Sequence, residues 1–257
     1  MKLHPDWIVP DWTAPRRVRS FVTTRAGGAS QGEYASLNLG LRSGDDPERV
    51  ARNRAIVRDL LPSEPLWLSQ VHGAHVVRAE AAARIDAERT GEYRLPHAPV
   101  ADACVTADAH RVCAVLTADC MPVFFCDAAG TRVAVAHAGW RGLSAGVLES
   151  TVAAMGVDAR HVVAWMGPAI GPDAFEVGPE VREAFVAADA GADAAFRPGK
   201  PGKFMADLYA LARRRLEAAG VASIHGGGYC TFHEAARFFS YRRVPQSGRM
   251  GAFIWME

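Results

Sequence analysis

The stretch Ala118-Asp119-Cys120-Met121-Pro122-Val123-Phe124-Phe125-Cys126-Asp127-Ala128-Ala129-Gly130-Thr131-Arg132-Val133-Ala134-Val135-Ala136-His137-Ala138-Gly139-Trp140-Arg141-Gly142 decides how this chain is read. Two short apolar runs, residues 123–126 and 133–136, flank Asp127-Ala128-Ala129-Gly130, which reads as a tight hairpin turn ending in glycine. With Ala128 and Ala129 as the two loop residues, Cys120 falls directly opposite His137, on one face, at the open end of the hairpin. Directly opposed residues have Cα atoms about 4.5–5.5 Å apart. A three-residue loop would shift the register by one, and Pro122 distorts the pairing because it brings no N–H to the ladder. In either case a thiol and an imidazole come close enough to share a metal, a substrate or a proton.

Outward from this hairpin, further strands are expected at residues 18–24, 66–71, 101–106, 112–116, 162–166, 224–230 and 252–256, with 76–79 pairing back onto 66–71. Asp45 and Asp46 followed by Pro47 open a helix that runs to about residue 60, because an aspartate cap and a proline at the first helical position suit a helix start. Helical periodicity also marks residues 142–155, 179–188 and 205–219, the last with Gly220 just past its end. Residues 80–98 are polar and rich in Arg and Glu, as in a surface loop or short helix. Hairpins mixed with helices, without repeats or a low-complexity linker, predict an α+β fold with mixed β-sheets flanked by helices, residues 1–257 forming a single domain.

Bulk properties narrow the function. With 257 residues, 49% of them hydrophobic, the chain can bury a sizeable core. A net charge of +1, from 29 basic and 28 acidic residues, gives no global field for nucleic acid or an anionic membrane. No apolar run is long enough to span a bilayer, and Met-Lys-Leu-His-Pro-Asp-Trp at the start has no signal-peptide pattern, so a cytoplasmic protein is expected. Five cysteines form no CxxC motif; Cys104, Cys113 and Cys126 read as reduced core thiols.

Three segments end in metal-binding or catalytic side chains: Gln70-Val71-His72-Gly73, Asp119-Cys120-Met121 and Ala136-His137-Ala138. Two imidazoles and a thiolate make a reasonable zinc set that leaves a fourth position open. The same groups suit a cysteine hydrolase, with His137 lowering the thiol pKa and acting as base. Composition does not choose between them.

The chain also resembles the YfiH family, known as the laccase-domain or polyphenol-oxidase family. The resemblance runs in order through Ser36-Leu37-Asn38-Leu39-Gly40, Asp45-Asp46-Pro47, Asn53-Arg54, Gln70-Val71-His72-Gly73 and Ala101-Asp102. It continues with Thr117 to Val123, Ala136 to Gly142, Gly167-Pro168-Ala169-Ile170-Gly171, Cys230-Thr231, Phe239 to Arg243 and Gly248-Arg249. It implies a layered α-β-β-α architecture and a purine nucleoside phosphorylase acting on adenosine, inosine, guanosine and methylthioadenosine, with adenosine deaminase activity. It further implies His72, Cys120 and His137 as catalytic groups and metal ligands, with zinc as the metal and copper as an alternative. Purine nucleosides and phosphate are the implied partners, and a monomer is expected. Editing of a peptidoglycan precursor by a cysteine amidohydrolase, or copper-dependent polyphenol oxidation, are the competing functions. A multicopper oxidase needs many histidines in HxH patterns, whereas this chain has nine histidines and no HxH.

Candidate substrate groups are Asn38, Arg54, Arg141 and Arg242, the arginines as clamps for phosphate or ribose. A helix starting near Gly142 could offer backbone N–H groups to an anion beside His137. Asp119 suits either an imidazole-orienting role or a turn cap, and Trp140 either purine stacking or packing. His75 reads as a surface residue.

Overall fold

The computed structural model describes residues 3–80 and 98–257. In chain order it begins with β1 (Val18–Val22), α1 (Pro47–Arg58), β2 (Val76–Arg78), β3 (Ala103–Thr106), β4 (Cys113–Thr117), β5 (Met121–Asp127) and β6 (Val133–Ala138). Next come α2 (Trp140–Ser144), α3 (Val147–Met155), β7 (Val162–Met166), β8 (Glu176–Val177) and α4 (Pro179–Val186). It closes with β9 (Phe196–Pro198), β10 (Phe204–Ala206), α5 (Leu208–Ala218), β11 (Ser223–Gly226) and β12 (Met250–Met256). Most of the stretch read as polar at 80–98 lies outside the described residues.

The quoted hairpin forms the middle of a six-stranded mixed sheet ordered β11-β7-β5-β6-β3-β2. A second sheet, β1-β12-β4, is antiparallel, and β8-β10-β9 form a small third one. Side chains alternate across a strand, and the alternation sorts the core into layers. Met121, Val123 and Phe125 of β5 pack with Leu148 and Val152 of α3 and Leu211 of α5. Phe124 and Cys126 point the other way, against Val115, Ala252 and Ile254 of the second sheet. That sheet's opposite face, with Phe21, Phe253 and Trp255, packs on Val57 of α1 and on Leu37 and Leu39. The layers therefore run helices, sheet, sheet, helix, the mixed α/β arrangement expected. Strands β5 and β12 are buried on both faces, which explains their unbroken apolar runs.

The hairpin register differs from the expected one. Pro122, not Cys120, stands opposite His137, and Cys126 pairs with Val133. The Asp127 carboxylate accepts the Thr131 and Arg132 amides at 2.7 and 2.8 Å and the Thr131 hydroxyl at 2.7 Å. It wraps a four-residue loop where two residues were read. A slip of two residues keeps every side chain on its face and displaces its partner by about 7 Å. Cys120 thus lies one pleat beyond Pro122, on the same side.

Three other expectations change. The helix expected at 142–155 begins at Trp140 and breaks at Gly146, which sits in the left-handed region at φ 91°. The five-residue α2 is too short to serve as the anion-binding helix start. The helix expected from 205 starts at Leu208, because Asp207 caps it by accepting the Ala210 amide, and Met205 belongs to β10. Strand β2 pairs in parallel with β3, while residues 66–71 contribute only the isolated bridges Leu66–Cys113 and Ser69–Val100.

Candidate functional site

The three segments singled out in the sequence converge at one end of the two sheets. The donor atoms of His72, Cys120 and His137 all lie within 4.8 Å of one another. The two imidazole rings meet edge to face with centroids 4.9 Å apart. His137 is buried at the end of β6, Cys120 is half-buried just before β5, and His72 is exposed on the loop that precedes β2. A Cβ built on Gly139 would come within 2.7 Å of the Cys120 sulfur and 3.2 Å of His72 Cδ2. Only glycine leaves room there for the cluster.

Each donor is held from behind. Gln70 pairs its side-chain amide with both backbone groups of Leu116, at 2.8 Å each, and so pins the His72 loop to β4. Asp119, at φ 85°, precedes Cys120; its carboxylate accepts the Thr231 hydroxyl at 2.6 Å, the Ser240 hydroxyl at 3.0 Å and the Arg242 amide at 2.7 Å. Asp119 orients no imidazole. It docks the C-terminal loop onto the site. The imidazole of His137 is instead oriented by Asp102, whose carboxylate lies 2.9 Å from Nδ1.

Burial alone pushes the Cys120 thiol up, but the His137 charge and hydrogen bonds from both imidazoles outweigh it and bring the thiol to about 6. Burial likewise lowers His137, while the Cys120 thiolate and Asp102 raise it to about 9. Burial raises Asp102, yet its bonds to His137 and to the Gly73 and Val71 amides leave the carboxyl below its ordinary range. With no metal bound, both shifts favour a thiolate facing an imidazolium. The donor set, one thiolate and two imidazoles within reach of one ion, fits zinc, and its softness also admits copper.

The cluster opens into a cavity of about 640 Å³. Its walls pair aromatic rings with guanidinium groups: Arg54 lies 3.8 Å over Trp67, Arg141 4.6 Å over Trp140, Arg242 5.5 Å over Phe175 and Arg249 5.8 Å over Tyr241. Arg54, Arg141 and Arg242 thus reach the cavity with the three donors. Trp140 is half-buried, packing against the helical core while also lining the wall. Tyr241 is 55% exposed, an open ring at the mouth. Arg243 turns away to the carbonyls of Thr231, Phe232 and Phe238.

Asn38 departs from its expected place. It is fully buried, with Nδ2 donating to Ser43 and Asp45 and Oδ1 accepting the Gly40 and Arg249 amides. All its hydrogen-bonding capacity goes into holding the loop behind the cavity. Sequence reasoning also missed Asp102, Arg42, Arg249, Phe175 and Tyr241. Asp102 stands opposite His137 because β3 pairs Ala103 with Ala136, a register that only the structure reveals. His75 is exposed, as expected, and its carbonyl accepts the Asp102 and Ala103 amides.

The family model described as multi-copper polyphenol oxidoreductase laccase matches residues 19–257. A Pseudomonas aeruginosa protein named purine nucleoside phosphorylase is 52% identical over 252 residues, covering 98% of each chain. The Escherichia coli purine nucleoside phosphorylase YfiH is 51% identical, over 97% of this chain and 98% of its own. Among solved structures, a Neisseria meningitidis protein superposes with a TM-score of 0.89 at 49% identity, over 98% of this chain and 99% of that one. A Bacillus licheniformis protein called YfiH gives 0.86 at 30% identity, over 93% of each. Among the described residues no helix is long and apolar enough to cross a membrane. With this breadth of match in sequence and fold, the chain belongs to the YfiH-type, laccase-like family described as multi-copper polyphenol oxidoreductase laccase.

Proposed function

We propose that the chain is a purine nucleoside phosphorylase that accepts adenosine, inosine, guanosine and methylthioadenosine, with adenosine deaminase activity at the same centre. One observation carries the reading: His72, Cys120 and His137 meet in a cavity walled by aromatic rings and guanidinium groups. The names of the relatives support it. The rings of Trp140, Phe175 and Tyr241 offer flat apolar surface to a purine, and Arg54, Arg141 and Arg242 offer donors to phosphate and ribose oxygens.

His72, Cys120 and His137 would hold a zinc ion, with copper the alternative, and that ion would supply Lewis-acid polarisation and an activated water. In phosphorolysis a phosphate oxygen bonds to the ribose C1′ as the C1′–N9 bond breaks, the electron pair leaving on the purine, which takes up a proton. The arginines bind the phosphate and steer its attack. In deamination a water oxygen replaces the C6 amine, which departs as ammonia. The aromatic walls shield both reactions from bulk water. We read residues 1–257 as one functional unit acting as a monomer in the cytoplasm.

Incubation with adenosine and phosphate tests this directly: adenine, ribose 1-phosphate and inosine are the expected products, with no adenine formed when phosphate is left out. Absence of all three products at high enzyme concentration would overturn the reading. The low Cys120 pKa beside His137 favours one alternative, a cysteine amidohydrolase acting on a peptidoglycan precursor. That activity would survive chelation and trap a covalent adduct at Cys120, whereas phosphorolysis is expected to fall with the metal. Oxygen uptake with a phenol would instead identify the copper-dependent oxidation.

A further inference from the structure

Asp102 is fully buried, and its four hydrogen bonds tie two distant segments together. Oδ1 accepts His137 Nδ1 at 2.9 Å and the His72 amide at 2.9 Å. Oδ2 accepts the Gly73 amide at 2.7 Å and the Val71 amide at 3.2 Å. Three successive N–H groups converging on one carboxylate form an anion-binding nest. The central residue of that nest is His72, held at φ 61°, where a residue with a Cβ sits at a cost of about 1–3 kcal/mol unless its surroundings impose it. The main chain repeats the link: the Asp102 carbonyl accepts the His137 amide at 2.7 Å, and the Asp102 amide donates to the His75 carbonyl at 3.1 Å.

We propose that Asp102 is the positioning residue of the centre, its single carboxylate fixing the ring of His137 and the backbone turn that presents His72. With Nδ1–H committed to Asp102, the His137 ring turns Nε2 toward Cys120 and the cavity, where loss of the Nε2 proton would free its lone pair for a metal. The nest meanwhile aims His72 at the same point. Asp102 stands behind the cavity lining and acts through both histidines. An asparagine cannot reproduce this, since its amide nitrogen would face N–H donors where Asp102 accepts four.

The inference rests on the reading of His72, Cys120 and His137 as a metal-holding set, and one experiment separates the two. Chelator-stripped full-length protein and its Asp102→Asn and Asp102→Ala variants are titrated with zinc against a chromophoric chelator, and with cobalt while the thiolate charge-transfer band is followed. The native chain is expected to bind one ion with that band, and both variants to bind about 10–100-fold more weakly with an altered spectrum. In a His137→Ala background, adding Asp102→Asn is expected to weaken binding further, because the His72 turn is also released. Variants with native affinity and spectrum would overturn the role of Asp102 while leaving the metal centre standing; a native chain that binds neither ion would overturn both. Should the variants fail to unfold cooperatively, nitrogen-15 spectra of histidine-labelled native protein decide. In the zinc-loaded protein, a proton on His137 Nδ1 with Nε2 bare supports the proposal, and a proton on Nε2 with Nδ1 bare overturns it.

Discussion

Cys120 and Cys126 stand six residues apart on one side of the same hairpin arm, yet they are chemically opposite. Cys126 is fully buried between the two sheets, where burial and the neighbouring Asp127 charge push its thiol up to about 12. Cys120 also experiences burial, which acts in the same upward direction, but His137 and His72 overcome it and bring the thiol to about 6. Desolvation alone therefore does not distinguish a core thiol from a reactive one. The sign of the nearest charges does.

The largest expected effect is on thiol reactivity. In chelator-treated protein at pH 7, Cys120 is expected to be mostly thiolate and Cys126 almost wholly thiol. Iodoacetamide followed by peptide mass spectrometry is expected to label Cys120 and spare Cys126, with a rate midpoint near pH 6. His137→Ala is expected to move that midpoint up toward about 8.5, the ordinary thiol value. Equal labelling of the two cysteines would dissolve the contrast.

Next comes catalysis. Cys120→Ser and His137→Ala are expected to lower kcat for phosphorolysis by about 10²–10⁴-fold. Cys126→Ser is expected to leave kcat unchanged and to cost about 1–3 kcal/mol in urea unfolding, because it strands a hydroxyl in apolar surroundings. A catalytic defect in Cys126→Ser would break the comparison from the other side.

The smallest effect concerns the stability of the metal-free protein. His137 is raised in the folded state, so its contribution is complete below the unfolded histidine value and fades as pH rises through about 9. Cys120 is depressed, so its contribution is complete above the ordinary thiol value and fades as pH falls through about 6. The pair is therefore most stabilising between about 6 and about 9. Urea midpoints at pH 5, 7.5 and 10 are expected to trace that window, and the Cys120→Ala, His137→Ala double variant to flatten it.

Much of the site could be read from the chain because local patterns carry it. The apolar runs of β5 and β6 mark a hairpin, and the spacing of Cys120 and His137 places them on one face at any register differing by two residues. Asp46 with Pro47, and Gly220 after α5, mark helix ends through cap chemistry alone. The loop length misled because Asp127 closes the turn with its side chain, a choice among turn types that alanines and a glycine leave open. Asn38 misled because a polar residue in a glycine-flanked loop looks the same whether it faces a ligand or saturates its own loop.

Composition, period and turn residues determined by themselves that this chain mixes β-sheets with helices, and that a thiol and an imidazole meet at the end of one hairpin. Which residue stands on the far side of His137 was decided only by tertiary structure. That neighbour is Asp102, from β3, and nothing along the chain says which strand will lie against the open edge of a hairpin. Strand order is settled by how whole layers bury their apolar faces, so contacts across it follow from the packing of the entire core.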